Sequence, residues 1–510
     1  MVGSSVGIAS GKTPAIIDAA VGPIWRVRGR FAEALSREPF VVLVLALYAL
    51  ILTSLLPLVV GSDTWLALVS GRGVAKNWLP RHDTLTVWSH GASWIDQQWL
   101  GQLLFYWTQA AGGFRLLLLL HVALLLGAFS LALAFAHRSG ASIRSVALVA
   151  APALLAAFPN SAARTQAYAY VLFVLVFWLL ASSSRSSTRR VLLVLPVLVL
   201  WANIHGSVVL GVGLVVLWAV AELLRLRRRA GAGRTRAGAV GLAVAAPLCL
   251  FVSPYGLALS GYYRDILGAK AFGDYVTEWA ATTFPSNWPF FVLALGSLWL
   301  SARRPKRLTL FEHLALLATA LAAFDAIRNI VWFALVVIMV IPRALDGVWR
   351  IKPAPLRPRI NQALSLGALL LIFGSFGVAA SHPASWYTHT YPHSALGTVA
   401  AATAGDPSRR VFANVRYADW LLWELPSLSG RVAFDARFEL LSSQQLRQVN
   451  RFRNDFDPYL AAADGYPLLV LDTDREKVAI RLLLHETNVK RLYRDSRVTV
   501  LLRNGRPTAS

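Results

Sequence analysis

The chain has 510 residues, 56% of them hydrophobic and 15% charged, with a formal net charge of +24 and a mean hydropathy of +0.53. So little charge and so much apolar surface exclude an ordinary water-soluble domain. The basic residues fall in short clusters between apolar runs, as the positive-inside rule requires, and not on one broad basic face, so no nucleic-acid partner is expected. The single cysteine, Cys249, excludes an internal disulfide and a thiolate metal cluster.

Residues 1–39 read as a cytoplasmic amino-terminal segment. Within it, 17–37 set Ile24, Trp25, Val27, Phe31 and Leu35 among basic residues, the pattern of a helix lying on an anionic leaflet. No cleavable signal peptide is expected, because about forty residues precede the first apolar run and that run is too long for an h-region.

Residues 40–380 form the transmembrane part. The run Phe40–Val60 is long enough to cross a bilayer. It opens into a large first outer loop, 61–113, which sets Asp63, Arg72, Arg81, His82, Asp83, His90 and Asp96 among tryptophans. A mere connector would be short and bland.

Farther along, residues 191–224 are apolar except around Trp201 to Gly206. As one helix they would reach about 50 Å, too long for a single crossing. Both flanks are basic, so both ends are placed in the cytoplasm and the run folds as a hairpin with Asn203 and His205 at its outer tip. The same argument makes hairpins of 143–181, with Pro159-Asn160 and Arg164-Thr165-Gln166 at the tip, and of 308–343, with Asp325–Asn329 at the tip. With single spans at 40–60, 114–136, 238–253, 288–302 and 361–380 the count is about eleven transmembrane helices, amino terminus inside and carboxyl terminus outside. The short runs near 145–158 and 191–202 also read as re-entrant segments. Ala230–Gly238 reads as a cytoplasmic linker.

Residues 381–510 change character. Strand-length runs at 411–415, 431–434, 468–471 and 498–502 alternate with helical stretches at 442–452 and 475–485. This predicts a carboxyl-terminal extracytoplasmic α/β domain. The whole is an α-helical polytopic membrane protein. Its Arg- and Ala-rich, Lys-poor composition suggests a GC-rich bacterial genome, and the expected location is the cytoplasmic (inner) membrane of a bacterium.

Candidate chemistry gathers on the outer face. Asp63 reads either as a general base for an acceptor hydroxyl or as a helix N-cap. His82 beside Asp83 reads as an acid–base pair or as a turn after Pro80. Trp94, Asp96 and Gln98 begin an amphipathic stretch running to Trp107 and read as sugar contacts or as an interfacial aromatic belt. Arg164, His205 and Arg328 sit at the three hairpin tips and read as a shared site for a lipid phosphate, to whose oxygens Arg offers a planar fork, or as arginines snorkelling to the interface and a histidine hydrogen-bonded within a tight turn. Glu278 reads as a second carboxylate of the site or as an ordinary loop residue. Asp435 and Arg437 read as a salt-bridged turn.

Together the motif Asp63-Thr64-Trp65, Gly71, Pro80, Asp83, Gly91, Trp94 and Trp99-Leu100, the Trp-x-Asn-x-His-Gly tip at 201–206 and the Phe-Asp-Ala-Arg segment at 434–437 resemble the GT-C superfamily. The resemblance implies an integral-membrane glycosyltransferase that moves a sugar from a polyprenyl-phosphate donor to an extracytoplasmic acceptor in the cell envelope. It implies a base at Asp63 and cations at Arg164 and Arg328 for the lipid phosphate. Many superfamily members carry paired acidic residues in the first loop. Here Asp63 is followed by Thr64 and Trp65, so a second carboxylate must come from Asp83, Asp96 or Glu278. No residue is assigned to a metal, and a divalent cation is the one cofactor left open. Three other readings are a lipid-linked polysaccharide polymerase or ligase, a lipid-linked sugar flippase, and a silent envelope scaffold. Against a flippase, the polar groups gather at one face and no inverted repeat is visible.

Overall fold

Every expected span falls on a helix in the computed structural model, which describes residues 39–186, 188–227, 233–268, 277–349, 357–454 and 460–504. The expected interfacial helix at 17–37 lies outside these residues. Helix α1 (Phe40–Ser54) is broken at Leu55, before the short turn Leu56–Val59 that holds Pro57. Helix α2 (Ser62–Asn77) starts the first loop. Helix α3 (Trp99–Arg138) joins the amphipathic stretch to the next span through a kink at Gly112-Gly113, where Gly113 has φ 65°. That left-handed backbone suits glycine and lets the chain turn from the membrane surface into the membrane.

The three hairpins form where expected. They join α4 (Ile143–Ala157) to α5 (Gln166–Arg185), α6 (Val194–Ile204) to α7 (Val208–Leu226), and, after α8 (Gly233–Leu248), α9 (Leu259–Gly268) and α10 (Trp288–Arg303), α11 (Leu310–Asp325) to α12 (Ile330–Val348). Within the last two pairs the helices pack on each other, whereas α4 packs on α12 and α1, and α5 packs on α3, α6 and α7. Helix α13 (Pro358–Ser381) closes the series. The expected linker is corrected, because residues 233–238 already belong to α8.

Six helices among the described residues are long and apolar enough to cross a bilayer unaided: Trp99–Arg138, Ile143–Asn160, Gln166–Arg185, Val208–Leu226, Ile327–Val348 and Pro358–Ser381. The others are shorter. A 16-residue helix such as α10 or α11 reaches about 24 Å, short of a ~30 Å core without its flanking turns. Helix α12 is central, with 83% of its apolar window buried, and α13 is peripheral, with 22%. Outward faces carry Leu58, Leu295 and Phe373 at 67%, 69% and 71% exposure. In water each would forgo roughly 1.5–3 kcal/mol of burial, which lipid supplies.

At the helix ends opposite the hairpin tips, Glu312 is fully buried and bonds both Arg185 and Arg343. Its carboxylate also closes a capping box with Thr309 at the start of α11.

Beyond α13 the chain adds α14 (Leu396–Ala404), α15 (Val415–Glu424), α16 (Ser443–Asn454) and α17 (Lys477–His485) to a four-stranded sheet. Its strands are β1 (Val411–Ala413), β2 (Leu468–Asp472), β3 (Val489–Arg494) and β4 (Val498–Arg503), in the order β1-β2-β4-β3. The β1–β2 pair is parallel and the other two pairs are antiparallel, so only β1–β2 needs a long helical crossover. Sequence reading missed β3, whose Lys490, Arg491 and Arg494 disguise an edge strand. The expected strand at 431–434 makes only single bridges through Val432, to Val411 on one side and to Thr86 of the first loop on the other.

Candidate active site

The site is assembled by stapling the hairpin tips to the first loop. Thr64 accepts the Gly61 N–H through Oγ1 (3.1 Å) and donates the same hydroxyl to the Ala163 carbonyl at 2.5 Å. The Ala163 N–H donates to Val59 at 2.9 Å. These bonds fix the first hairpin tip against the start of α2. Gly61 occupies the cap position, so Asp63 is not the N-cap and its side chain is free to reach out. Thr165 donates to Gln98 Oε1 at 2.5 Å, and Trp99 Nε1 donates to Asn203 Oδ1 at 3.0 Å. A Cβ on Gly101 would stand 2.6 Å from the Ile204 carbonyl and 3.2 Å from Thr165. Only glycine lets α3 begin against two tips at once. The third tip is tied to the loop before α10 by Ile327 N–H to Ala280 O at 3.1 Å and Thr282 N–H to Phe324 O at 3.1 Å.

These staples bring Asp63, Arg164, Glu278 and Arg328 together. Arg164 Nη1 lies 3.3 Å from Asp63 Oδ2 and 2.5 Å from Glu278 Oε2. The guanidinium of Arg328 stacks 4.2 Å above the Trp279 ring and feels the charges of Glu278, Arg164 and Asp63. Burial alone would raise the Glu278 carboxyl, but Arg164 and Arg328 outweigh it and hold it below the usual carboxylate range. His205 joins from the second tip, close enough to feel Arg328 and Arg164. Its Nδ1 accepts the Ser207 N–H at 3.1 Å, which assigns the proton to Nε2. The Asp63 side chain is 46% exposed, Glu278 29% and Arg164 21%, so water and solutes reach this charged group.

Other expected site residues lie elsewhere. Asp83 is fully buried. Its Oδ1 accepts from Leu85 N–H (2.9 Å) and Arg437 Nη2 (2.6 Å), and its Oδ2 from Thr86 and Ser89 hydroxyls (2.7 and 2.8 Å). Burial raises this carboxyl, yet Arg437 and those donors pull it lower than an ordinary aspartate. His82 is exposed while Asp83 is buried, so the two side chains part. Arg437 also bonds Asp435 at 2.6 Å, as expected for that turn, and lies 4.3 Å from the Trp94 ring centre. Trp94 is therefore buried against Arg437. Asp96 is buried with Oδ2 unpartnered, and burial pushes its carboxyl up to about 7.

Sequence reading missed Asp419, which sits on α15 among apolar neighbours and is fully buried with Oδ1 unpartnered. Burial and the Asp435 charge hold its carboxyl well above the usual range.

Among the described residues no three His, Cys, Asp or Glu side chains gather as a metal site, and the Asp63 and Glu278 carboxylates are already turned on Arg164.

Neither a family model nor a curated protein matches this chain. Solved structures do. They are membrane-enzyme structures of low identity that share the fold of this chain. ArnT from Cupriavidus metallidurans, bound to undecaprenyl phosphate, aligns with TM-score 0.50 and 14% identity over 90% of this chain and 97% of that one. The archaeal oligosaccharyltransferase AglB from Archaeoglobus fulgidus, in complex with an inhibitory peptide and a dolichol-phosphate, aligns with TM-score 0.50 and 12% identity over 85% of this chain and 69% of its own. The mycobacterial arabinofuranosyltransferase AftD aligns at TM-score 0.47 and 16% identity, and this chain spans 40% of its length.

Proposed function

We propose that this chain is a membrane glycosyltransferase that moves a sugar from a polyprenyl-phosphate donor to an acceptor hydroxyl on the outer side of a bacterial cytoplasmic membrane. The observation that carries the reading is the Asp63–Arg164–Glu278 triad, with Arg328 beside it, at the meeting point of hairpin tips and first loop. The fold shared with a structure holding undecaprenyl phosphate supports the lipid class of the donor.

On this reading Arg164 and Arg328 hold the lipid phosphate, with His205 Nε2 available to donate to it. The two contacts to Arg164 are unequal. Glu278 sits close and Asp63 is looser, so an arriving phosphate competes first with Asp63. Displaced from Arg164, Asp63 becomes the base. The acceptor hydroxyl attacks the anomeric carbon as the carbon–oxygen bond to phosphate breaks. The bonding pair leaves on the lipid phosphate, whose charge the two arginines neutralise, and the hydroxyl proton passes to Asp63.

The test uses purified protein in nanodiscs with a panel of radiolabelled polyprenyl-phosphate sugars, following release of the lipid phosphate. Wild-type turnover that falls by roughly a hundredfold or more in Asp63→Asn supports the reading. Turnover that ignores the substitution moves the base elsewhere. No turnover with any donor overturns the reading.

A further inference from the structure

One polar corner of the outer face has no part in the steps above. It lies at Gly206, which ends the Trp-x-Asn-x-His-Gly run of the second hairpin tip. Asn203 of that run is a hub. Its Oδ1 accepts from Trp99 at the start of α3, and its Nδ2 donates to the Val252 carbonyl at 2.9 Å. Val252 stands where the chain bends by 96° between α8 and α9. Tyr255, three residues on, donates to the Pro80 carbonyl of the first loop at 2.9 Å. The bend is thus fastened to both tip and loop, and α9 starts from a fixed point.

Two polar ends meet at Gly206. A Cβ there would stand 3.0 Å from Tyr262 Oη of α9 and 3.1 Å from Gln97 Oε1 of the first loop. Both contacts are tighter than a side chain normally tolerates, so glycine is what lets the two groups close on the tip backbone. The orientation of Gln97 is fixed, because its Nε2 donates to the Ala202 carbonyl at 2.8 Å. That leaves the acceptor Oε1 on the Gly206 side, buried and unpartnered. The Tyr262 ring meets that of buried Tyr263 edge-on at 5.3 Å. Tyr262 itself is half-buried, and its hydroxyl has no hydrogen-bond partner among the described residues.

The chemistry of the corner selects its ligand. Gln97 Oε1 needs a donor, and Tyr262 Oη can donate and accept. An anion brings only acceptors and would leave Oε1 unmet, whereas a sugar hydroxyl brings both roles. The corner also adjoins the cations. A Cβ on Gly101 would touch both the Ile204 carbonyl and Thr165, so His205-Gly206 and Arg164 flank one junction of two tips. A donor sugar is bonded directly to a phosphate oxygen, so its hydroxyls fall beside whatever holds the phosphate.

We propose that Tyr262 and Gln97, meeting at Gly206, form the subsite for the hydroxyls of the donor sugar. The inference rests on the glycosyl-transfer reading above and adds to it the residues that select the sugar. Tyr262 is the contact residue, and Gly206 positions it.

The test compares two lipids that differ only in the sugar: a polyprenyl-phosphate sugar that wild type turns over, and bare polyprenyl phosphate. Each is radiolabelled, and its retention on the affinity-captured full chain gives the affinity. Tyr262→Phe removes one oxygen that no bond in the fold holds, so its thermal midpoint should match wild type. It should weaken the sugar-bearing lipid about threefold to tenfold, the range for one uncharged hydrogen bond, and leave the bare lipid unchanged. Arg164→Gln should weaken both lipids. Gly206→Ala, which pushes on the Tyr262 hydroxyl, should repeat the pattern of Tyr262→Phe. Among monodeoxy versions of the sugar, one should bind wild type and Tyr262→Phe equally. A Tyr262→Phe protein that binds both lipids as wild type does, or weakens both alike, overturns the inference and leaves the glycosyl-transfer reading standing. So does a set of monodeoxy donors in which none erases the difference. If wild type turns over no sugar-bearing lipid, the glycosyl-transfer reading has failed and the sugar subsite falls with it.

Discussion

Arg164 is shared between two carboxylates held at 3.3 and 2.5 Å, and the inequality has consequences. Glu278→Gln removes the tighter partner and leaves Arg164 to Asp63 alone. Asp63 then competes better against the donor phosphate and is released less readily as a base. We expect the KM for donor to rise and kcat to fall about tenfold to a hundredfold, read from initial rates across donor concentration. Asp83 belongs to the opposite category, a carboxylate with every acceptor position filled. Asp83→Asn leaves Arg437 with Asp435 alone in a buried place, and breaking such a pair costs about 3–5 kcal/mol. The loss should appear as a lower thermal midpoint. Because the folded Asp83 carboxyl is held below its ordinary value, its stabilisation is complete above the usual aspartate range. It is lost only as pH falls through that depressed value. Acid scans of wild type and Asp83→Asn should therefore converge at low pH and diverge toward neutrality.

At the scale of elements, much was legible in the chain and some was not. Basic flanks and run lengths located the hairpins, because topology in lipid is set by charge and thickness. Placing Arg164, His205 and Arg328 at hairpin tips followed from the same rule. The missing second acid of the first loop pointed to Asp83, Asp96 or Glu278, and only tertiary distance distinguishes them: Glu278 reaches Arg164, 114 positions away in sequence. The edge strand β3 was hidden by its charges, and the kink at Gly112-Gly113 was visible only as two glycines. Gly101 is the element-level test of the assembly. Gly101→Ala forces a methyl against the Ile204 carbonyl at 2.6 Å, overpacking that costs about 1–3 kcal/mol. Because the clash separates the tips from the first loop, turnover should drop more than stability does. Comparing the thermal midpoint with the rate on the same preparation checks this.

For the whole molecule, the basic clusters and the charged site lie at opposite ends of the helices. Glu312, with Arg185 and Arg343, marks one end, and Asp63 with Arg164, Glu278 and Arg328 marks the other. A lipid-linked donor and a water-borne acceptor can meet only at one surface, so the mechanism depends on which end faces out. The positive-inside rule puts Lys306 in the cytoplasm and the carboxyl-terminal unit outside. The lone cysteine, Cys249, is buried, so a Cys249→Ala background is silent to thiol reagents. On that background Ser429→Cys, at an exposed turn beside the first loop, should react with a membrane-impermeant maleimide in intact cells. Lys306→Cys, equally exposed, should react only after the membrane is opened. The reverse pattern would put the charged site in the cytoplasm and require an acceptor from that side. Labelling of both positions in intact cells would mean the chain does not hold one orientation, and a single-sided transfer reaction would then lack its structural basis.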